Sequence, residues 1–183
     1  MRRTALLLAA CFTAGAAAQP AKAPSTNPQR AQVEVAFTPG DEVDRLIADR
    51  IARARASVQV QAYLFTNKRI ATALAGAATR GLAVEVIGDA QQYENGGLPL
   101  LASLMKAGAA VYLDATLAAS HNKVVIVDGA TPAALVVTGS YNFTQAAQSK
   151  NAENIVVLSA NRAITDRFVA NFERSRARSS RLQ

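Results

Sequence analysis

Seven apolar runs of strand length lie between residues 33 and 158, and several of the stretches between them carry apolar residues at helical spacing. That alternation constrains the fold more tightly than any other feature of the chain. Strand residues change face at every step, whereas helix residues return to a face after about 3.6, so neither pattern can adopt the other conformation without exposing its apolar side. The runs occupy 33–37, 57–65, 82–88, 109–113, 122–128, 134–140 and 154–158. Between them, Val43, Leu46, Ile47 and Ile51 share one helical face. A second helix opens near Asn67, aligns Ile70 with Leu74 and stops at Gly81. A third spans 98–108 after a turn at Asn95-Gly96-Gly97, and an amphipathic helix over 162–175 closes the series. Strands that are apolar on both faces need cover on both. The expectation is therefore an α/β fold: a mixed, mostly buried β-sheet sandwiched by helices on both faces, in a single domain over 33–174. With 183 residues and 50% hydrophobic side chains, one core suffices.

The segment before this domain has a different character. Residues 1–18 place Arg2 and Arg3 ahead of an apolar run and end in Ala16-Ala17-Ala18, the order of a secretory signal peptide. The run is shorter than the roughly 20 residues of a permanent span. The expectation is an exported, periplasmic or secreted protein cleaved after Ala18, with lipidation at Cys11 as the alternative. Against that alternative stands the shortness of the apolar stretch between Arg3 and Cys11. Residues 19–32, with Pro20, Pro24 and Pro28, read as a flexible linker. The formal charge of +7, or +5 once Arg2 and Arg3 are removed, favours polyanionic partners. At 175–183 the chain reads as a basic, frayed tail, suited either to solvent or to a phosphate backbone.

The chain has one histidine, His121, in the stretch "HNKVVIVD". In an extended strand His121 and Lys123 project from one face, while Asn122 and Val124 project from the other. Asp128 has the opposite parity and is expected to serve the strand end structurally. Gly139-Ser140 end the next apolar run and Asn142 follows it, a close-approaching backbone with a hydroxyl and an amide donor suited to an anionic oxygen. Glu153 opens the last run and could fix an imidazole by its second nitrogen.

These residues resemble the phospholipase D superfamily. H-x-K, four residues and Asp, then G-S-x-N, then an acidic residue at a strand start, is similar to its HKD signature. The segments "FTPGDEVDRLI", "VQAYLFTNKRIATAL" and "GSYNFTQAAQSKNAENIVVL" resemble its small single-motif exported endonucleases, over about 33–172. The ten residues 129–138 are slightly more than is usual there, and read as a longer hairpin turn away from the site.

The resemblance implies a metal-independent phosphodiesterase without a cofactor, working through a phosphohistidine, with a second histidine as proton donor. It makes His121 the nucleophile or acid and Lys123 and Asn142 the phosphate ligands. Ser140 becomes a supporting donor, Glu153 the orienter of the imidazole, and Asp128 and Gly139 structural parts of the motif. One histidine per chain then calls for a homodimer whose two-fold axis brings two copies of His121 to one composite site. The substrate implied is nucleic acid, DNA first with RNA left open, and a lipid phosphodiester as the alternative. Glu85, Asp89 and Asp114 could instead suggest a magnesium nuclease, but they show no acidic pair at a recognisable spacing. Tyr63 and Phe65 could stack on bases; packing in the core is the reading favoured for both.

Overall fold

The structure, a computed structural model, describes residues 30–183. Expectations for the export signal, for Cys11 and for the linker up to residue 29 lie outside the described residues. The elements follow the sequence pattern closely. In chain order they are β1 (Gln32–Thr38), α1 (Val43–Ala52), β2 (Ser57–Ala62), α2 (Lys68–Thr79), β3 (Ala83–Asp89), α3 (Ala90–Glu94) and α4 (Leu101–Lys106). Then come β4 (Ala110–Asp114), β5 (Lys123–Val127), β6 (Leu135–Gly139), α5 (Gln145–Ser149), β7 (Glu153–Ser159), α6 (Arg162–Arg178) and β8 (Ser180–Arg181).

Side-chain caps fix several helix starts. Asn67 accepts from the Ile70 N–H at 3.1 Å and Asn161 from that of Ile164 at 3.1 Å, satisfying amides that helix starts otherwise leave open. All eight strands form one sheet in the order β1-β7-β6-β5-β2-β3-β4-β8. Strands β2, β3 and β4 are parallel, and the remaining pairings are antiparallel. The expected mixed sheet with helices on both faces is what the chain forms.

Alternation along β2 and β5 divides the core in two. Val58, Val60, Val125 and Val127 join Ile47, Ile51, Ile70 and Leu74 on the face covered by α1 and α2. Val124, Ile126, Ile87 and Val136 meet Phe172, Phe168 and Val169 of α6 on the other. Among the described residues, a single long helix does not cover that second face. On β1, whose Ala36 joins the first core, the alternate residues Val33, Val35 and Phe37 remain 60%, 55% and 55% exposed.

Two expectations change. The segment 175–183 is not a frayed tail: α6 continues to Arg178, and β8 pairs with β4 as a short edge strand. Arg178 binds Asp114 at 2.9 Å and Arg176 binds Glu85 at 3.1 Å, so local basic charge is neutralised by acids far away in sequence. The helix expected over 98–108 begins only at Leu101; Leu98, ahead of it, is buried in the core.

Candidate active site

Five strand ends meet at one edge of the sheet. Ala62 of β2 lies opposite Lys123 of β5, Gly139 of β6 opposite Ile155 of β7, and Thr38 of β1 opposite Glu153. The polar residues singled out by sequence therefore cluster at this edge. The exception is Asp128, which closes the far end of β5.

Lys123 is 7% exposed at the mouth of β5, while His121 precedes the strand and is exposed. Their expected juxtaposition is present, although His121 itself lies outside the strand. Lys123 Nζ lies 2.9 Å and 3.2 Å from the two ring nitrogens of His121, and donates to the His121 carbonyl at 2.7 Å. Burial lowers the proton affinity of Lys123 below the ordinary lysine value, and the negative charge of Glu153 opposes that shift. An ammonium tied down this way is a fixed positive point beside the imidazole.

Gly139 is needed for a close approach. A Cβ there would meet the Asn154 carbonyl oxygen at 2.2 Å, so no other residue permits β6 to lie this near β7. That approach lets the Ser140 hydroxyl donate to Glu153 at 2.5 Å while accepting from the Asn154 N–H at 3.1 Å. Glu153 also accepts from the Asn151 amide at 3.0 Å. Its carboxylate is thus engaged by Ser140 and Asn151, not by the imidazole of its own chain, and the Ser140 proton is committed to Glu153. Asn142 is half-buried, and its Oδ1 is buried with no hydrogen-bond partner among the described residues. Leaving such an acceptor unpaired costs about 1–3 kcal/mol, and only a hydrogen-bond donor can complete it.

Asp128 does what its parity suggested. Its Oδ1 accepts from the N–H groups of Arg55, Ala56 and Ser57 at 3.1, 2.7 and 3.1 Å, clamping the turn before β2. Its φ of 52° is one that Asp and Asn adopt more readily than most residues.

The carboxylates considered for magnesium are also committed. Glu85 meets Gln59 and Arg176. Asp114 meets Thr116 and Arg178. Asp89 accepts from the N–H groups of Gln92 and Ser120. Among the described residues, no group of three or more His, Cys, Asp or Glu side chains is arranged to hold a metal ion.

One of the two aromatic residues expected in the core stands at the site. Phe65 is core, fully buried against Phe143. Tyr63 is not: it is half-buried, with its ring 4.3 Å from the His121 ring and 5.0 Å from Lys123 Nζ. Strand parity puts Tyr63 in the run 57–65, but β2 ends at Ala62, which frees Tyr63 to turn toward the site. No local signal marks the departure, since Tyr63 has the parity of Phe65, which is buried.

Comparison with known proteins then decides the lineage. Residues 47–176 match the family described as "Cardiolipin synthase, PLD-like domain". The chain belongs to the phospholipase D superfamily. A relative called "Phospholipase D" from Rickettsia bellii is 34% identical over 149 residues, covering 81% of this chain and 71% of its own. A "Mitochondrial cardiolipin hydrolase" from Xenopus tropicalis is 32% identical, covering 68% of this chain and 56% of its own. Among solved structures, Nuc from Salmonella typhimurium, a phospholipase D family member, superposes with a TM-score of 0.75 at 29% identity, over 84% of this chain and 99% of Nuc. NucT from Helicobacter pylori shares the fold, with a TM-score of 0.73 at 21% identity over 84% of this chain and all of NucT (100%). This chain is accordingly a phospholipase D superfamily phosphodiesterase with the fold of Nuc.

Proposed function

We propose that this superfamily member is an exported, metal-independent endonuclease with little sequence preference, cleaving DNA and RNA through a phosphohistidine at a homodimer interface. The observation that carries the reading is the pairing of the chain's one imidazole with a buried ammonium, at the end of the sheet where Glu153 and Ser140 also lie. In this scheme His121 of one copy attacks phosphorus, and His121 of the second protonates the departing oxygen. Lys123 and the Asn142 amide stabilise charge on the non-bridging oxygens as it develops.

A single chain supplies half of this. Glu153, unused by its own imidazole, keeps unfilled lone pairs on both oxygens and is suited to orient the ring of the second copy. The exposed Val33, Val35 and Phe37 run along β1 toward Thr38, which pairs with Glu153, giving a second copy an apolar surface beside the site. Mixing wild-type with His121→Ala subunits tests the shared site. Activity proportional to the square of the wild-type fraction supports it, and a linear decline rejects it. Cleavage of plasmid DNA in EDTA, weakening steeply with salt, supports the metal-free polyanion reading. Loss on chelation with recovery on Mg²⁺ overturns it.

A lipid phosphodiesterase is the second reading. The names of the relatives favour it, and the apolar stripe on β1 could meet acyl chains. Cardiolipin vesicles assayed beside plasmid DNA separate the two.

A further inference from the structure

An exposed imidazole outside any strand or helix has rotamer freedom that a nucleophile or proton donor must lose before reaction. Glu153 of the same chain does not restrict it. Lys123 holds the backbone carbonyl and approaches both ring nitrogens without selecting a plane for the ring. What remains is one aromatic face. The Tyr63 ring lies against His121 at 4.3 Å with a tilt of 52°, and the same ring faces the Lys123 ammonium at 5.0 Å, within cation–π range.

Tyr63 is itself held. Its hydroxyl accepts from the Gln92 amide at 3.0 Å, and Gln92 sits in the first turn of α3, whose cap is Asp89. Asp89 Oδ1 takes the Gln92 N–H at 2.8 Å, and its Oδ2 takes the Ser120 N–H at 2.7 Å, one residue before His121. One carboxylate, 2% exposed, therefore grips both sides of the imidazole: the chain leading into it and the helix bracing the ring that packs on it.

We propose that Tyr63 is a positioning residue for His121 and Lys123, locked in place by the Gln92–Asp89–Ser120 bracket. The proposal rests on the reading of His121 as a reacting group. It gives Asp89 a positioning role instead of the metal-ligating one that its residue type invites.

His121 is the chain's one histidine, so in untagged protein labelled with ¹³C-histidine its imidazole gives a single set of signals. Turnover of bis(4-nitrophenyl) phosphate, a small diester, is measured alongside, so the result does not depend on whether the natural substrate is nucleic acid or lipid. Tyr63→Leu is expected to move the His121 ring protons downfield as the aromatic face is lost. It should also lower kcat on the order of tenfold or more with little change in KM. Tyr63→Phe, which retains the ring but loses the hydroxyl that Gln92 holds, and Gln92→Leu, which unties that hydroxyl, should both fall between wild type and Tyr63→Leu in signal position and in kcat. Because the contacts form one device, Tyr63→Leu combined with Gln92→Leu should cost less than the two losses together.

Unmoved ring protons in folded Tyr63→Leu, or an unchanged kcat, overturn the proposal. A Tyr63→Phe variant as impaired as Tyr63→Leu also overturns it, because the hydroxyl would then take part in the chemistry. Full activity of His121→Ala instead sinks the underlying reading, and the ring-proton shift still reports whether the stack exists.

Discussion

The two ends of β5 carry similar polar inventories and spend them differently. At the far end, Asp128 is saturated by three backbone amides and makes a joint. At the near end, Lys123 is buried with its charge only partly offset, Glu153 is not bound to its own imidazole, and Asn142 Oδ1 has no partner among the described residues. A satisfied polar group stabilises the native state, whereas an under-satisfied one costs stability and is retained where something else will occupy it. The contrast separates the strand's structural end from its chemical end.

The largest expected effect is at the chemical end. His121→Ala should lower diester turnover by at least about a thousandfold, roughly 4 kcal/mol in the barrier, without shifting the melting temperature. Residual activity within tenfold of wild type would erase the distinction between the ends. Asp128→Ala should do the reverse, destabilising the fold by about 3 kcal/mol in urea titrations while the remaining folded protein keeps its turnover. Lys123→Met sharpens the comparison further. Turnover should fall on the order of a hundredfold, while stability stays level or rises, because a buried ammonium has been removed.

The smallest effect tests a second saturated carboxylate. Burial pushes the Asp114 carboxyl upward, but hydrogen bonds from Arg178 and Thr116 and the guanidinium charge outweigh it and hold it below the usual carboxylate value. Its folded-state value is depressed, so its contribution is fully present above the ordinary carboxylate pKa of about 3.9 and is lost as pH falls below that. Thermal unfolding from pH 6 to pH 3 should show a shallower decline in Asp114→Asn than in wild type. Equal slopes would remove Asp114 from the account.

Much of this was legible in the sequence because it depends on local period. The parity of an extended chain put His121 beside Lys123 and turned Asp128 away, and the apolar runs marked the strands to within a few residues. Glu153 was harder to read. Its partners Ser140 and Asn151 are polar residues among many, and only the approach that Gly139 permits brings Ser140 to it. Tyr63 lies one residue past the end of β2, and the ring it meets belongs to His121, 58 residues further along the chain, so its place at the site is a tertiary contact. The 175–183 segment looked like a solvated basic tail because its acidic partners, Glu85 and Asp114, lie 91 and 64 residues away.

By itself the sequence determined the alternation of elements, the layered α/β class and the residue types available for phosphodiester chemistry, since side-chain period and composition are properties of neighbours along the chain. Only the tertiary structure decided which carboxylate braces which group, that Asp89 serves the imidazole's approach from two sides, and that the β1 face is left uncovered among the described residues. Those depend on strand order and on the path of one helix across the sheet, which bring together residues that no local pattern connects.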